Sequence, residues 1–487
     1  METYARQGPV VRGEIGLPLA SLAPGEADDI RQALTITTKP WDDNPAETIY
    51  AYREDGNYLW VPREWKPALR HAARDEASDG YSHSFDLHLA KRDPERGQVD
   101  AIPVMLMHLR AHEAGLLIAP TGTGKTFMGL VIGALLGCHI GWPVYASHQE
   151  DNVREHAHLI GLSQDDIGVV RSDRCDLGKP LTIMYVPSLL ARDYPPELYD
   201  QFGILIADEV NRYGAPQWKN TVAKFTARYR LGLTANPHRF DGLGPLITWL
   251  FGEIGHEAER IRSKNIQVPS VTAIRWRRKY PLGAFCKWKQ IAGEWRMGDG
   301  HPTKYDHQLV KDTERTELFM EFAKRAALKG RRILVFSSLV DHLIEAREIL
   351  MRLLDPMSPA ERFARAEPPP FGLPTTSFYK AGMTKKEERD RAMDADVKFT
   401  TFAMARDAFN DPRLDTMFFL TPPGNPLQPK GRLREKDEGY GRAPLMIIDG
   451  YEDSPYSADK YRKRRDYYRK DGLQVRQIER VPTKKMR

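Results

Sequence analysis

Short apolar runs alternate with longer amphipathic segments over most of the chain. Between residues 115 and 255 the apolar runs lie at 116–119, 144–147, 181–186, 203–207 and 230–234. Runs of this length predict buried strands, and the segments between them have helical periodicity. A second set begins at residue 313, with runs at 333–337, 376–379, 397–402, 417–420 and 445–448. The alternation predicts an α/β fold with two parallel-sheet lobes.

The first 90 residues lack this rhythm. Their strand-like runs are short, at 35–38, 48–52 and 58–61, and predict a small, mainly β accessory domain. We therefore divide the chain into an N-terminal domain (1–90), a first lobe (91–257), a linker (258–312) and a second lobe (313–487). The N-terminal domain is expected either to recognise the substrate or to support the first lobe. Its tryptophans are candidates for stacking on bases or for anchoring the core, and they are Trp41, Trp60 and Trp65.

Composition narrows the class of protein. The 487 residues are 41% hydrophobic and 28% charged, as in globular proteins, and no apolar run approaches the ~20 residues of a membrane span. Cys138, Cys175 and Cys286 are too scattered for a disulfide framework or a structural zinc site, which favours a reducing cytoplasmic setting. The formal net charge of +6 is compatible with a polyanionic partner such as DNA.

One segment of the first lobe has the composition of a phosphate-binding loop. A glycine-rich turn leads from an apolar run into an apolar helix, and its residues are Pro120, Thr121, Gly122, Thr123, Gly124, Lys125 and Thr126. Strand, glycine loop and helix place backbone N–H groups and a positive helix end around an anion. In such a loop Lys125 contacts the β- and γ-phosphates of ATP, and Thr126 places its hydroxyl on Mg²⁺. ATP and Mg²⁺ are therefore the expected cofactors, and a glycine turn with an incidental lysine is the alternative.

Two acidic residues, Asp208 and Glu209, directly follow the apolar run at 203–207. Because the carboxyl ends of parallel strands meet at one edge of a sheet, both side chains are expected near the loop. Asp208 would hold the magnesium ion, and Glu209 would polarise the water that attacks the γ-phosphate. An ordinary acidic helix cap after a strand is the alternative interpretation.

Cations and aromatic residues are mixed in the predicted linker, where the sequence runs Arg275, Trp276, Arg277, Arg278, Lys279, Tyr280. Single-stranded nucleic acid is held by cations on its phosphates and rings on its bases, so this stretch is a candidate DNA contact. A linker strand whose tryptophan packs inward is the alternative. The Lys- and Arg-rich tail from residue 460 presents a similar choice between a DNA-binding face and a solvated face.

The motifs together resemble those of superfamily-two helicases of the DEAD/DEAH type. Their order along the chain is APTGTGKT (119–126), DEVN (208–211), LTAN (233–236) and QPKGRLR (428–434). Two longer phrases are similar to boxes of the phage UvsW-like and XPB-like branch, namely IADEVNRYGAPQW (206–218) and LGLTANPHRFDGL (231–243). The resemblance covers the chain from residue 96 onward and is most specific in the first lobe.

This resemblance implies two RecA-like lobes that use ATP and Mg²⁺ to move on DNA by closing and opening. It implies activity on single-stranded, forked or branched DNA, in repair and recombination, and a phage-encoded protein in the host-cell cytoplasm. By their places in the family's motifs, Gln98 recognises the adenine, and Thr234, Ala235 and Gln428 couple hydrolysis to DNA.

Arg432 and Arg434 are both candidates for the arginine finger, which stabilises charge on the transferring γ-phosphoryl group. Arg432 keeps the family's position. Glu435 occupies the place of the family's second arginine, and Arg434 precedes it by one residue.

Further residues depart from the family's motifs, and they are Asn211, Asn236, Ala408 and Asn410. These changes affect the coupling of hydrolysis to movement more than the binding of ATP. We therefore expect an ATP-dependent DNA helicase or translocase. An ATP-binding nucleic-acid scaffold with a degenerate motor and an RNA helicase are the alternatives.

Overall fold

The computed structural model of the chain describes most of the 487 residues. The described residues are 10–38, 46–65, 67, 74–88, 97–120, 122–211, 216–235, 242–258, 268–280, 285–291, 294–357, 365, 372–379, 386–402, 404, 411, 413–424, 426, 429, 433 and 443–482. The chain divides into two compact units, residues 1–262 and 263–487.

The first unit begins with a small β-rich region. Its strands are β1 (Val10–Val11), β2 (Glu14–Pro18), β3 (Thr35–Thr37), β4 (Thr48–Tyr50), β5 (Arg53–Glu54), β6 (Tyr58–Pro62) and β7 (Arg74–Asp75). Five of them form a sheet in the order β5-β6-β2-β1-β7, in which β1 and β7 are parallel and the other pairs antiparallel. β3 and β4 form an antiparallel hairpin, and α1 (Glu26–Ala33) precedes β3. The prediction of a mainly β N-terminal region is confirmed.

A parallel sheet forms the rest of the first unit. Its strands are β8 (Ala114–Ile118), β9 (Ile140–Val144), β10 (Ile167–Arg171), β11 (Arg174–Cys175), β12 (Leu181–Tyr185), β13 (Ile204–Asp208), β14 (Tyr229–Thr234) and β15 (Ile254–Glu257). The order is β11-β10-β12-β9-β13-β14-β8-β15, and every pair is parallel except β10–β11. The helices are α2 (Gln98–His112), α3 (Lys125–Leu136), α4 (Ser147–Ala157), α5 (Val186–Ala191), α6 (Pro196–Asp200), α7 (Pro216–Ala223) and α8 (Gly244–Phe251).

Four strands of this sheet differ from the prediction, because β9 is displaced and β10, β11 and β15 were not predicted. The strand expected at 144–147 is β9, which ends at Val144, and Ser147 already begins α4. Glycine and proline interrupt the sequence of β9, but its register with β12 buries all five of its residues. β10 has no counterpart in the prediction, although its sequence IGVVR is largely apolar.

The second unit contains another parallel sheet. The strands of this unit are β16 (Ser270–Trp276), β17 (Cys286–Ile291), β18 (Glu294–Gly300), β19 (Ile333–Ser337), β20 (Thr376–Tyr379), β21 (Val397–Thr401), β22 (Thr416–Phe419), β23 (Met446–Glu452) and β24 (Val475–Arg480). The sheet has the order β20-β21-β19-β22-β23-β16-β24 and is parallel throughout, while β17 and β18 form a separate antiparallel hairpin. The helices are α9 (Pro302–Val310), α10 (Thr313–Ala327), α11 (Val340–Leu354), α12 (Lys386–Asp394) and α13 (Pro455–Lys470). In the described part of the chain, no helix has the length and apolarity needed to cross a membrane.

The predicted linker at 258–312 is the main difference in the second unit. β16 lies within it and pairs along its length with β23 on one side and β24 on the other. Val271, Ala273 and Ile274 in this strand are fully buried. The cations at 275–279 gave this part of the chain the composition of a surface segment. Residues 270–276 nevertheless form a strand inside a parallel sheet.

The N-terminal region packs against α8 of its own unit. Ile15, Leu17 and Leu59 share one hydrophobic cluster with Leu243 and Leu246, at the start of α8. Burial of these side chains joins the small antiparallel sheet to the first lobe. This packing agrees with the expected supporting role of the region and leaves substrate recognition as a prediction.

The three tryptophans of the region differ in their surroundings. Trp65 packs against the hydrophobic cluster. The Arg53 guanidinium lies 4.6 Å from the ring of Trp60, over the ring face. Trp41 lies outside the described residues.

A buried arginine also joins the N-terminal region to the first lobe. Arg230 in β14 is fully buried and donates from Nη2 to the Gly13 carbonyl (2.6 Å). It also donates to the carbonyls of Phe225 and Leu250 (3.2 Å each). Burial, with a smaller contribution from a neighbouring arginine, lowers the pKa of the guanidinium to about 9. A desolvated cation needs such carbonyl partners, so the chain at Gly13 has to stay close to β14.

Gly13→Ala is expected to lower the free energy of unfolding by roughly 1–3 kcal/mol, because a methyl group there overlaps the backbone carbonyl of Ala223. Gly244→Ala is the matched control, since a Cβ at that position meets nothing within 4 Å. Thermal unfolding of both variants beside the wild type checks the prediction. A Gly13→Ala protein that unfolds at the wild-type temperature would contradict the described seating of the N-terminal region.

Candidate nucleotide-binding and hydrolysis site

The carboxyl ends of three neighbouring strands meet at one edge of the first parallel sheet. In the register of the sheet Thr234 pairs with Ile118, and Leu233 pairs with Asp208. The backbone is also joined beyond the strand end, because Ala119 N–H donates to the Thr234 carbonyl (2.8 Å). The glycine loop after β8, the acids at the end of β13 and the end of β14 therefore leave the sheet side by side.

The glycine loop has the backbone conformation of an anion site. Gly122 (φ 85°) and Gly124 (φ 87°) lie in the left-handed region, which residues with a Cβ rarely adopt. Thr123 closes the turn between them, and its hydroxyl donates to the Pro120 carbonyl (2.7 Å). Gly124 is followed directly by α3, and no side chain caps that helix. The N–H groups of the first turn of α3 are thus left for a bound anion.

Two glycines of α3 bring this helix close to the sheet. A Cβ on Gly129 would lie 2.8 Å from Leu233 Cδ1, and one on Gly133 would lie 2.8 Å from Ile140 Cδ1. Both distances are shorter than van der Waals contact, so the helix approaches the strands closely only because these positions lack side chains. A spacing of four residues places the two glycines on one face of the helix.

Four side chains of the predicted site converge between α3 and the end of β13. Thr126 Oγ1 donates to Asp208 Oδ2 (3.1 Å), and Lys125 Nζ lies 3.8 Å from Glu209 Oε1. Lys125 and Thr126 are buried, whereas the side chain of Glu209 is 43% exposed. A hydroxyl and a carboxylate are oxygen ligands of the kind that Mg²⁺ prefers, with phosphate oxygens and water in its remaining positions. The residues present therefore fit Mg²⁺ bound together with ATP.

Glu209 has a backbone conformation that is rare for a residue with a side chain. Its φ of 53° lies in the left-handed region. A residue held in this way costs on the order of 1–3 kcal/mol, which the surrounding structure has to supply. The Glu209 N–H donates to Asp208 Oδ1 (2.9 Å), and this bond ties the turn to the neighbouring carboxylate. Strain of this kind concentrates at functional sites, which supports the predicted hydrolytic role of Glu209.

The pKa of Asp208 is raised above its ordinary value. Burial is the largest cause and the negative charge of Glu209 adds to it, while Lys125 and the Thr126 hydroxyl act in the opposite direction. A raised carboxyl pKa means that the folded protein holds the proton more tightly than the unfolded chain. The ionised form of Asp208 therefore costs stability when no cation is bound, and Mg²⁺ would offset this cost.

Gln98, the predicted adenine-binding residue, contacts the phosphate loop. It is the first residue of α2, is buried, and donates from Nε2 to the Thr123 carbonyl (2.7 Å). A Cβ on Gly124 would lie 2.6 Å from the same nitrogen, so the loop packs directly on this amide. The contact makes Gln98 a support of the loop, and its recognition of adenine stays a prediction.

Sequence reasoning missed one residue of the site, Asn152 in α4. Its Nδ2 donates to Thr126 Oγ1 (2.7 Å), so the threonine hydroxyl contacts both Asn152 and Asp208. A signal was available, because α4 follows β9 at the same carboxyl edge of the sheet, where polar side chains meet. The strand predicted at 144–147 extends past the end of β9 to the first residue of α4, and this error obscured that relation.

Several predicted site residues lie outside the described residues, and they are Thr121, Gln428, Arg432 and Arg434. The same is true of four departures from the family's motifs, Asn236, Ala408, Asn410 and Glu435. Thr234 is fully buried at the end of β14, and Ala235 follows it at the sheet edge. The coupling and arginine-finger roles of these residues stay predictions.

The tryptophan of the basic and aromatic stretch packs inward. Trp276 is 2% exposed and donates from Nε1 to Asp312 Oδ2 (2.9 Å). Arg278 forms an ion pair with the same carboxylate, and the Tyr280 hydroxyl donates to it (2.9 Å). Three of the residues predicted to grip DNA therefore converge on one buried aspartate. For Trp276 the structure favours the alternative interpretation of a strand residue in the core.

The remaining cations of the stretch lie at the surface. Arg275 pairs with Asp453 (2.6 Å), and Arg277 pairs with Glu479 (2.5 Å). Lys279 is exposed. Because exposed ion pairs contribute only about 0–1 kcal/mol, phosphate groups can compete for these arginines. DNA binding by this part of the stretch stays a prediction.

The basic tail also divides into an inward and an outward face. Arg464 in α13 is buried and pairs with Asp449 (2.9 Å), and Tyr461 stacks on Tyr451 with ring centroids 4.1 Å apart. The outward face of α13 carries exposed cations, namely Arg462, Lys463, Arg469 and Lys470. These exposed cations are the groups of the tail that are available to contact a polyanion.

The part of the sequence that contains the two acids matches a known family. The family model is described as "Type III restriction enzyme, res subunit", and it matches residues 153–239. This segment includes Asp208, Glu209 and Thr234 at the sheet edge.

Two curated relatives have names of helicases or translocases. The chain is 21% identical over 426 residues to a protein of Acanthamoeba polyphaga mimivirus that carries the name of an ATP-dependent RNA helicase, which covers 87% of this chain and 77% of that protein. It is 30% identical over 158 residues to the DNA 3'-5' translocase XPB2 of Sulfurisphaera tokodaii, which covers 32% of this chain and 34% of that protein.

One solved structure shows the fold over most of the chain. The type ISP restriction-modification enzyme LlaBIII bound to DNA matches with a TM-score of 0.53 at 13% identity, over 83% of this chain and 32% of that chain. The likeness identifies the two parallel sheets as RecA-like lobes, as the sequence predicted.

Gln98→Leu is expected to weaken the binding of ADP and of inorganic tripolyphosphate alike, by roughly fivefold to tenfold, because the Thr123 carbonyl loses its buried donor. Competition titrations against a fluorescent ADP measure both affinities. Gln32→Leu, at an exposed position of α1, is the control. A loss confined to ADP would assign the amide to adenine instead, since tripolyphosphate has no base.

Asp208→Asn is expected to raise the unfolding temperature of the protein without Mg²⁺ and nucleotide, because it removes a partly buried carboxylate whose ionisation is unfavourable in the folded state. The gain should shrink as the pH falls through the raised pKa of Asp208, where the wild-type carboxyl becomes neutral too. Calorimetry at several pH values, with the exposed Asp151→Asn as control, tests this. A variant less stable than the wild type at pH 7.5 would contradict the electrostatic account.

Proposed function

We propose that the track of this chain, a superfamily-two helicase of the UvsW-like and XPB-like kind, is DNA in forked or branched form. As such a helicase it hydrolyses ATP and acts on nucleic acid. The proposal adds the kind of nucleic acid and the residues that carry out each step.

The observation that carries the assignment is the convergence of Lys125, Thr126, Asp208 and Glu209 at one sheet edge. In the proposed site Lys125 binds the β- and γ-phosphates, and Thr126 and Asp208 hold Mg²⁺. Lys125 Nζ lies 3.8 Å from Glu209 Oε1. Phosphates bound to Lys125 would compete with this contact and leave the carboxylate of Glu209 to polarise the attacking water.

The proposed coupling of hydrolysis to DNA starts from the end of β14. Thr234 and Ala119 are joined by a backbone hydrogen bond, and Ala119 leads directly into the phosphate loop. A displacement of residues 234–235 by DNA would therefore act on the loop through this bond. Gln428 and the two candidates for the arginine finger, Arg432 and Arg434, belong to the second lobe by sequence. Their roles are proposed from their places in the family's motifs.

Two observations support DNA as the track. The relative with 30% identity is by name a DNA translocase, and the matching family model is that of a restriction-enzyme subunit. The exposed cations of α13, together with Lys279, provide a surface for phosphate groups. Arg462 and Lys463 of α13 form surface ion pairs with Asp459, and the other cations of the predicted DNA contact are engaged in ion pairs as well.

RNA is the second candidate track. The mimivirus relative, which is an RNA helicase by name, matches 87% of this chain, a larger share than the DNA translocase matches. The altered motifs of the second lobe support a third candidate, a nucleic-acid scaffold that binds ATP without productive cycling. Both candidates give different outcomes in the experiment below.

Steady-state ATP hydrolysis should rise at least tenfold on forked DNA and remain near its basal rate on RNA. The reaction is measured without nucleic acid and with single-stranded DNA, duplex DNA, forked DNA and RNA. Glu209→Gln is expected to lower the stimulated rate by about 10²–10⁴-fold, as loss of a general base does. Glu197→Gln, at an exposed position of α6, is the matched control.

The other outcomes of this experiment would support one of the alternative functions or overturn the site assignment. Stimulation by RNA alone would make the chain an RNA helicase. Retained ATP binding with no stimulation by any nucleic acid would favour the scaffold, and reversion of Ala408, Asn410 and Glu435 to the family's residues would then be the next step. Wild-type activity of Glu209→Gln would overturn the assignment of the site.

A further inference from the structure

We propose that Asn152 is a positioning residue of the magnesium site, which orients the Thr126 hydroxyl so that its oxygen presents a lone pair to the ion. The inference rests on the proposed function, since it concerns the same Mg²⁺–ATP site. It adds a residue on α4, a helix to which neither the sequence motifs nor the phosphate loop assigns a role.

The directions of two hydrogen bonds carry this inference. Asn152 Nδ2 can only donate, so Thr126 Oγ1 accepts at 2.7 Å. An ionised Asp208 can only accept, so the single hydroxyl hydrogen of Thr126 is directed to Oδ2, 3.1 Å away. A hydroxyl oxygen has two lone pairs, and Asn152 occupies one of them. The other lone pair is left in a fixed direction on the oxygen that the site offers to Mg²⁺.

Asn152 is itself held in place by its helix. Gln149 Oε1 accepts a hydrogen bond (2.6 Å) from the N–H of Tyr145, the residue that follows β9. Glu150 Oε2 accepts the hydroxyl of Tyr185, at the end of β12 (2.6 Å). These bonds fix the first turn of α4 to the ends of two strands, so Asn152 approaches Thr126 from a rigid support.

The apolar side of α4 adds to this rigidity. Val153 is 2% exposed and Ala157 is fully buried, and both belong to the core under the sheet edge. Asn152, next to Val153, is exposed on the surface of the helix apart from its contact with Thr126. Its side chain can therefore be removed without opening a cavity, and its effect on the metal site can be separated from an effect on folding.

This arrangement predicts an effect that depends on the metal. A nucleotide without Mg²⁺ would be held by Lys125 and by the N–H groups of the loop, which Asn152 does not support in any described contact. The Mg²⁺–nucleotide complex depends in addition on Thr126 and Asp208. Loss of Asn152 should therefore change the response to Mg²⁺ and leave metal-free binding unchanged.

The test is a titration of fluorescent ADP, in EDTA and at increasing Mg²⁺, with the full chain. Asn152→Ala is expected to raise the Mg²⁺ concentration for half-maximal tightening by roughly threefold to tenfold, the effect of one hydrogen bond, with ADP affinity in EDTA unchanged. Asp151→Ala, the exposed neighbour on α4, is the matched control and should behave as the wild type.

A double-mutant cycle with Thr126→Ala shows whether Asn152 acts through the hydroxyl. If it does, the double variant needs no more Mg²⁺ than Thr126→Ala alone, because the group that Asn152 orients is already absent. Additive losses would overturn the proposal. An equal loss of affinity in EDTA and in Mg²⁺, or wild-type binding that does not respond to Mg²⁺, would overturn it as well.

The outcome is distinguishable from that of the proposed function. The readout is equilibrium binding of ADP, so it needs neither hydrolysis nor nucleic acid. If Asn152→Ala shows the expected Mg²⁺ shift but the wild type shows no DNA-stimulated hydrolysis, the proposed function is wrong and the role of Asn152 is still supported.

Discussion

The close seating of α3 on the first parallel sheet is the constraint on which the site depends. Gly129 and Gly133 allow this approach, because a Cβ on either would lie 2.8 Å from a side chain of the sheet. The helix carries Lys125 and Thr126 at its N-terminus, and the sheet carries Asp208 at the end of β13. A helix pushed outward by even one methyl group would lengthen the 3.1 Å contact between Thr126 and Asp208 and separate the two oxygens that fit one ion. The packing of α3 in the core therefore determines the distances between the site residues at the edge of the sheet.

Three cations of the second unit are used in buried ion pairs. Arg315 pairs with Glu452 (2.7 Å), Lys398 with Asp411 (2.9 Å) and Arg464 with Asp449 (2.9 Å), and all three pairs are buried. Removing one partner of such a pair would leave an uncompensated charge in the core, at a cost of about 3–5 kcal/mol. A run of cations in the sequence is thus not by itself a surface for DNA. If this unit binds phosphate groups of DNA, as proposed, the contacts have to come from the cations that the fold leaves exposed, among them those on the outward face of α13.

Prediction from the sequence succeeded where the signal is local. The strands Ile333–Ser337 and Thr376–Tyr379 begin and end as their apolar patterns predict. The convergence of Lys125, Thr126, Asp208 and Glu209 was also predictable, because each side chain follows a strand of one parallel sheet. β16 was missed, since its apolar residues run directly into the cations at 275–279 and no local pattern separates the strand from the segment that follows it.

The sequence by itself determined the α/β class, the phosphate loop and the acids that follow β13, because glycines, apolar runs and the residues at their ends act over a few positions of the chain. Only the tertiary structure decided the partners of Trp276, Gln98 and Asn152. Trp276 meets an aspartate 36 residues away, and Asn152 meets a threonine 26 residues away. A hydrogen bond requires both groups within about 3 Å and in line. That condition is set by the packing of whole helices and strands, which no short stretch of sequence contains.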